Sequence, residues 1–400
     1  MGTVAALLDL EEGHTLPNLG LLRLLKSRGH MIYCLGLSDV EDFIRDQGFE
    51  FIPIMGDIFP PGTCQGRRWV ETRSQYFVPL IRGKVLDDAI ARLKPEVMMV
   101  HNSYCAEGLI MHLRYSLPIV FFCPSFRELP RVLAYENYFT NILLNLTSGI
   151  AELLDLLTEH GVRYNNFKEI AQQVLRFPEL TFIPEAFDLH RQSEDPQVFY
   201  LGAGVDLERK EETAEWKDFD SNQPMIYCAL GSQIYRQQAI SRRLFQTIID
   251  VAATRSDWQF MIAVGKTFNA GEFTGIPDNA ILTSWAPQLK ALSQASVMVN
   301  HGGFGTVKEC IFMGVPMVVL PLLLDRDHVA CAKRVVHHGL GVQGDIRQVS
   351  ASELSSLIEQ VIKDQSYRLR AGVMREKFRQ QDRFDIGVKV IEDAMSGCGR

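Results

Sequence analysis

No stretch of the sequence reaches the run of about 18 apolar residues that a membrane-spanning helix needs, so stable membrane insertion is not expected. Positive charge is not in surplus either. Its 41 Lys and Arg stand against 48 Asp and Glu, a net charge of −7. That argues against the basic surface on which nucleic-acid binding depends, and against a polybasic membrane anchor with it. The eight cysteines, at 34, 64, 105, 123, 228, 310, 331 and 398, contain no CxxC spacing. A zinc knuckle or a thioredoxin-type motif is therefore not expected. Several of these thiols sit inside apolar runs (MIYCLG, VFFCPS, MIYCAL), where cysteine acts as a small buried hydrophobe suited to a reducing compartment. MGTVAALLDLEEGH carries no basic segment and turns polar by residue 9. It reads as a strand rather than a signal peptide, and a cytoplasmic location is the expectation. The sequon at Asn145 then has no meaning. HExxH is absent, and the His337–His338 pair lacks further ligand spacing, so neither a metal site nor a bound cofactor is expected.

What the sequence does contain is repeated alternation. Its 400 residues exceed the roughly 250–300 at which one core stops growing, so two domains are expected. TVAALLD reads as a strand, and the segment from Pro17 as a helix with Pro17 near its first turn and Leu21, Leu24 and Leu25 on one face. Gly29 ends it. MIYCLG, FEFIPI, EVMMVH and PIVFFC continue the strands, Ser38 and Glu41 form a capping box, and 103–116 is a further helix. Residues from Pro130 to about Phe177 are helical in pattern, and read equally as cover for an apolar ligand or as a subdomain packing its own core. A polar, charged stretch over 204–224 is the linker candidate. The alternation then resumes in MIYCALGS, WQFMIAVG, NAILTSW, SVMVNHGG and PMVVLPL. The expected class is α/β with two doubly wound, Rossmann-like domains facing a cleft. Their bounds are 1–203 and 225–384, and a C-terminal helix over 385–400 returns to the first. Functional residues should follow strand ends.

Two nucleotide motifs fail on context. Gly265-Lys-Thr has Phe260 five positions before its glycine, so no phosphate cradle forms. Gly339-x-Gly341-x-x-Gly344 follows a helical pattern and opens no helix.

The stretch 281–328 carries more. SVMVN ends at His301-Gly-Gly, where a helix begins, and unpaired N–H groups at a glycine-rich helix start suit an anion. His301 and Thr306 add side-chain donors, Glu309 one turn on suits sugar hydroxyls, and the loop Gly231-Ser232 adds a donor from the same side of the sheet. Singly, each has a plain structural reading: His301 as a strand-end cap, Thr306 as a helix residue, Trp285 as a core aromatic. Their joint spacing is what stands out.

That spacing, Trp285/Pro287/Gln288, His301/Gly303/Thr306/Glu309, Gly314/Pro316 and Pro321/Asp325, resembles the signature of the family 1 UDP-glycosyltransferases of GT-B fold. Gly13-His14-x-x-Pro17 looks like the same family's base loop, and bacterial macrolide and zeaxanthin glucosyltransferases are nearest in look. The resemblance implies a UDP-sugar donor and a hydrophobic small-molecule acceptor. Trp285 would stack on the base and Gln288 hold its edge or the ribose. Glu309 would hold the ribose, and His301, Gly303, Gly305, Thr306 and Ser232 would line the diphosphate. Asp325 and Arg326 would meet the sugar, and His14 would deprotonate the acceptor hydroxyl for a one-step, inverting, metal-independent transfer. Three departures stand out. Where the family places an Asp to orient the base, this chain has His101 followed by Asn102, leaving Glu107, Glu11 or Glu12 as candidate partners. Gly305 replaces an Asn and Arg326 a Gln. The reading is an inverting O-glycosyltransferase using UDP-glucose. Its rivals are a UDP-sugar epimerase or hydrolase, for which His14 has no purpose, and a degenerate nucleotide-sugar-binding protein, suggested by the missing Asp.

Overall fold

The computed structural model describes residues 1–9, 12–62, 73–126, 130–145, 149–189, 195–211, 219–323 and 327–397. The chain forms two compact units: Met1–Ile183 with His190–Arg209 and Arg383–Arg400, and Pro184–Leu189 with Lys210–Asp382.

In the first unit the order is β1 (Thr3–Leu7), α1 (Glu12–Ser27), β2 (Met31–Gly36), α2 (Glu41–Asp46), β3 (Glu50–Pro53), α3 (Arg73–Ile81) and α4 (Asp87–Leu93). It continues through β4 (Val97–His101), α5 (Cys105–Tyr115), β5 (Ile119–Cys123), α6 (Arg131–Asn145), α7 (Ile150–Glu159), α8 (Phe167–Leu175), β6 (Glu179–Thr181) and β7 (Val198–Tyr200). The sheet is parallel throughout, in the order β3-β2-β1-β4-β5-β6-β7. Strands covered on both faces read as unbroken apolar runs, as VMMV and IVFFC do. Alternate residues serve opposite faces. Ala5 and Leu7 join Leu109 and Ile110 of α5 in one core, while Val4 and Ala6 join Leu21, Leu22 and Leu25 of α1 in the other. The helical segment after Pro130 belongs to the first of these: Tyr135, Phe139, Leu157, Ile170 and Val174 are all buried there.

The second unit runs β8 (Met225–Ala229), α9 (Gln238–Thr254), β9 (Gln259–Ala263), β10 (Ala280–Thr283), α10 (Gln288–Gln294), β11 (Val297–Asn300), α11 (Phe304–Met313) and β12 (Met317–Val319). Then come α12 (Asp327–His337), β13 (Gly341–Gln343), α13 (Ala351–Lys363) and α14 (Gln365–Gln380). Its parallel sheet has the order β10-β9-β8-β11-β12-β13. Residues 184–189 pack in this unit, with Phe187 5.9 Å from the Phe378 ring and Asp188 3.5 Å from Arg334. The final helix, α15 (Phe384–Ser396), lies in the first unit, burying Val388 and Ile391 with Leu21 and Leu22.

Local details depart from the sequence reading. Pro17 lies inside α1, its sixth residue, rather than in the first turn. It leaves the Gly13 carbonyl without its usual backbone donor. Ser38 opens a 3₁₀ turn without capping it, and α2 begins only at Glu41. Three-residue strands β6, β7 and β13 were not foreseen. The GxGxxG stretch at 339–344 contains edge strand β13: a Cβ on Gly341 would lie 1.9 Å from the Met317 carbonyl oxygen.

Candidate active site

Each sheet reverses its strand order once, between β1 and β4 in the first unit and between β8 and β11 in the second. Loops leaving such neighbours diverge to opposite faces and open a crevice beyond the strand ends. Both groups of chemistry-bearing side chains stand there.

In the first unit, Asp9 lies just beyond β1 and His14 lies in the first described turns of α1. His14 Nδ1 is 3.0 Å from Asp9 Oδ2, and the two side chains are 19% and 1% exposed. A carboxylate only accepts, so the proton on Nδ1 faces Asp9. Thr15 Oγ1 donates to the Asp9 carbonyl at 3.4 Å and Asn18 Nδ2 to the His14 carbonyl at 3.0 Å, which ties the loop to the helix. His101, ending β4, stacks on His14 with ring centroids 4.6 Å apart and planes 23° from parallel. The Ser103 backbone N–H donates to His101 Nδ1 at 3.1 Å, with the Ser103 hydroxyl 2.5 Å from the same atom.

The partner of His14 is therefore Asp9, a residue the sequence reading passed over. Glu107 is engaged elsewhere: Arg73 Nε lies 2.5 Å and the Tyr76 hydroxyl 2.7 Å from its Oε1. Burial, reinforced by Glu107, pushes the Tyr76 phenol well above its ordinary range. Asn102 donates to Cys123 Sγ at 3.3 Å. Glu11 lies outside the described residues, as does the side chain of Glu12.

In the second unit, β8 and β11 pair Ala229 with Asn300, which brings the loops after them side by side. The His301 ring fills the space between two glycines. An added Cβ would lie 2.5 Å from its Cε1 at Gly231 and 2.3 Å from its Nε2 at Gly303. Gly231 also has φ +72°, a conformation that side chains resist. His301 is buried, and the His328 ring meets it edge-on at 4.7 Å. Burial first, and the neighbouring imidazole second, hold its pKa well below the ordinary range, so it is neutral.

Helix α11 starts directly after this ring, and its N-cap Gly303 offers no side chain to its first N–H groups. Gly305 and Thr306, second and third in the helix, are half-exposed. Among the described residues, nothing beyond its own helix backbone and chain neighbours lies within 4 Å of where a Gly305 Cβ would stand. Ser232 is exposed at the start of the turn after β8. One turn into α11, buried Glu309 accepts from Gln288 Nε2 at 2.7 Å, joining two residues separated by β11. Trp285 is half-buried with Lys266 Nζ 5.2 Å from its ring centre, and Thr283 Oγ1 anchors its carbonyl at 2.7 Å. Glu211 accepts from the Leu289 N–H at 3.0 Å. Burial, then Glu309 and Glu211, drive the Tyr227 phenol far up. Asp325 and Arg326 lie outside the described residues. Lys266, Glu211 and His328 were not foreseen.

A carboxylate-held imidazole can take a proton from a hydroxyl. An uncapped glycine-rich helix start, an aromatic face and a paired glutamine and glutamate are the fittings of a nucleotide site. Two units equipped this way suit the transfer of a group from a nucleotide donor to a hydroxyl, and the comparisons with known proteins give the class: glycosyltransferase. The family model described as UDP-glucoronosyl and UDP-glucosyl transferase matches residues 258–384. The chain is 22% identical over 392 residues to NDP-glycosyltransferase YjiC of Bacillus subtilis (strain 168), covering 96% of this chain and 95% of that one. It is 23% identical over 407 residues to demethyllactenocin mycarosyltransferase of Streptomyces fradiae, covering 96% and 84%. The solved glycotransferase of kitacinnamycin matches with TM-score 0.75 at 23% identity, covering 98% and 99%, and shares the fold. The chain is a glycosyltransferase of GT-B fold, and within it residues 258–384 carry the match to the UDP-glycosyltransferase model. Among the described residues, no helix is long and apolar enough to cross a membrane.

Proposed function

We propose that this glycosyltransferase moves a hexose from UDP-glucose to a hydroxyl of a hydrophobic natural product, with inversion, in the cytoplasm. The observation that carries the reading is the Asp9–His14 pair, 3.0 Å apart with Asp9 buried. His14 Nε2 removes the acceptor hydroxyl proton as that oxygen bonds to the anomeric carbon. The bond from this carbon to the diphosphate oxygen breaks, and UDP departs. Attack from the face opposite the leaving group inverts the centre. Asp9 stabilises the imidazolium that forms. Trp285 stacks on the base, and Gln288 and Glu309 hold the ribose. The α11 N–H groups, His301, Thr306 and Ser232 take up the diphosphate charge, so no metal is required. Asp325 and Arg326 hold the sugar. A small-molecule natural-product acceptor is supported by the Streptomyces fradiae relative, which is named for mycarosyl transfer to demethyllactenocin.

A mass-spectrometric screen tests this, with UDP-glucose and TDP-glucose as donors and phenolic, macrolide and carotenoid acceptors. The expected result is acceptor plus one hexose from UDP-glucose, β-configured by NMR, unaffected by EDTA and abolished in His14→Ala. Free glucose or an epimerised donor as the only product would overturn it. A requirement for magnesium or manganese would overturn the metal-independent site.

A further inference from the structure

We propose that His101 is a positioning residue for the base: a neutral aromatic wall that fixes the ring plane of His14. The inference rests on the assignment of His14 as the base.

An imidazole on a side chain has two torsions to hold. The bond from Nδ1 to Asp9 acts on one nitrogen, within the ring plane. Contact on a ring face opposes tilting of that plane. His101 supplies it, its centroid 4.6 Å from that of His14 and the planes 23° apart. His101 is itself braced. Edges of its ring meet Tyr104 at 5.8 Å and Phe122 at 5.3 Å, so the wall is part of the packed interior.

The charge state of His101 follows from Ser103. Because the Ser103 backbone N–H donates to Nδ1 at 3.1 Å, that nitrogen presents a lone pair. A proton there would meet the N–H head-on. Arg73 in turn donates to the Ser103 carbonyl and is held by Glu107, so the 3₁₀ turn at Asn102–Tyr104 is pinned from its far side. A neutral wall matters because His14 becomes a cation during transfer. A second cation stacked on it would oppose that charge, while a neutral π face accepts it. The chain thus divides one task between two residues: Asp9 sets the tautomer and His101 sets the plane.

The test compares His101→Phe, which keeps a flat neutral ring, with His101→Leu, which keeps bulk without planarity, and with His101→Ala. Each is assayed for kcat and for the KM of both substrates, with thermal unfolding as a check on folding. His101→Leu and His101→Ala are expected to lower kcat by about 10- to 100-fold, the scale of angstrom-level misplacement. Donor KM should hold, and His101→Phe should recover kcat to within a few-fold. Leu matching Phe, or Phe as slow as Ala, overturns the proposal. If His14→Ala keeps full turnover, the assignment of the base fails instead, which separates the two outcomes.

Discussion

Asp9→Asn removes a charge and keeps a shape. The amide has the volume of the carboxylate, so the buried space beyond β1 stays filled. What changes is the partner that Nδ1 meets. An amide nitrogen turned toward the ring donates, shifts the ring proton to Nε2 and takes away the lone pair that accepts the acceptor's proton. An amide oxygen keeps the tautomer but offers no counter-charge to the imidazolium. Opposite unit charges about 4 Å apart interact by about 4 kcal/mol at an effective dielectric near 20. His14 is 19% exposed, so water screens part of this. About 3 kcal/mol remains, which at about 1.4 kcal/mol per decade is roughly 100-fold in kcat. In a protease triad the same change costs about 10⁴. The assay is initial-rate turnover with two acceptors, one phenolic and one a simple alcohol, alongside calorimetric UDP binding. Loss should be larger with the alcohol, whose proton is harder to remove, and UDP affinity should not move. Wild-type turnover of the alcohol by Asp9→Asn, while His14→Ala is dead, would refute the dyad.

Gly231→Ala should cost about 1–3 kcal/mol of stability, through its positive φ and the push on His301, and raise donor KM; urea unfolding and kinetics check both. Gln288→Ala and Glu309→Gln should each raise donor KM, and their double mutant should cost less than the sum, since they share a bond of 2.7 Å. The neutral, buried state of His301 contributes stability that is fully present above its ordinary value near 6.5 and lost as pH falls below it. The urea midpoint should therefore drop between pH 7 and pH 5.5, and drop less in His301→Gln. Arg326→Gln should change the ratio of kcat/KM for UDP-glucose over UDP-glucuronic acid, because arginine only donates and pairs with carboxylates; an unchanged ratio removes Arg326 from the sugar site.

Much of this architecture is legible in residue order alone. Buried parallel strands announce themselves as apolar runs, and VMMVH, IVFFC and MIYCA were all recognisable. GluLeuThr, ValPheTyr and GlyValGln were not: three residues are too few to show a period, and the last two, at sheet edges, need little apolar surface. Pro17 misled because a proline usually marks a first turn, whereas α1 takes it in at the sixth position. On the donor side, motif spacing named residues that do adjoin, as Gln288 and Glu309 show. The acceptor-side carboxylate stands neither at the end of β4 nor among the glutamates at 11, 12 and 107 that the sequence offers. Asp9 ends the neighbouring strand, and β1 and β4 lie side by side, so either can present an acid to the same imidazole. Its signal was present: an acid closing an apolar strand five residues before the histidine. The His14–His101 stack has no one-dimensional signature, since one ring comes from the start of α1 and the other from the end of β4.

Helix α15 makes synthesis and completion run in different orders. The first unit is translated first, yet the core that α1 shares with the sheet is completed only when Val388 and Ile391 leave the ribosome. Every strand of the second sheet has by then been made. Through most of translation the nascent chain therefore carries an unfinished apolar surface near its beginning, the kind of exposure that invites aggregation or chaperone capture. A premature stop shortly after residue 382 spares the second sheet and unsettles the half that holds His14.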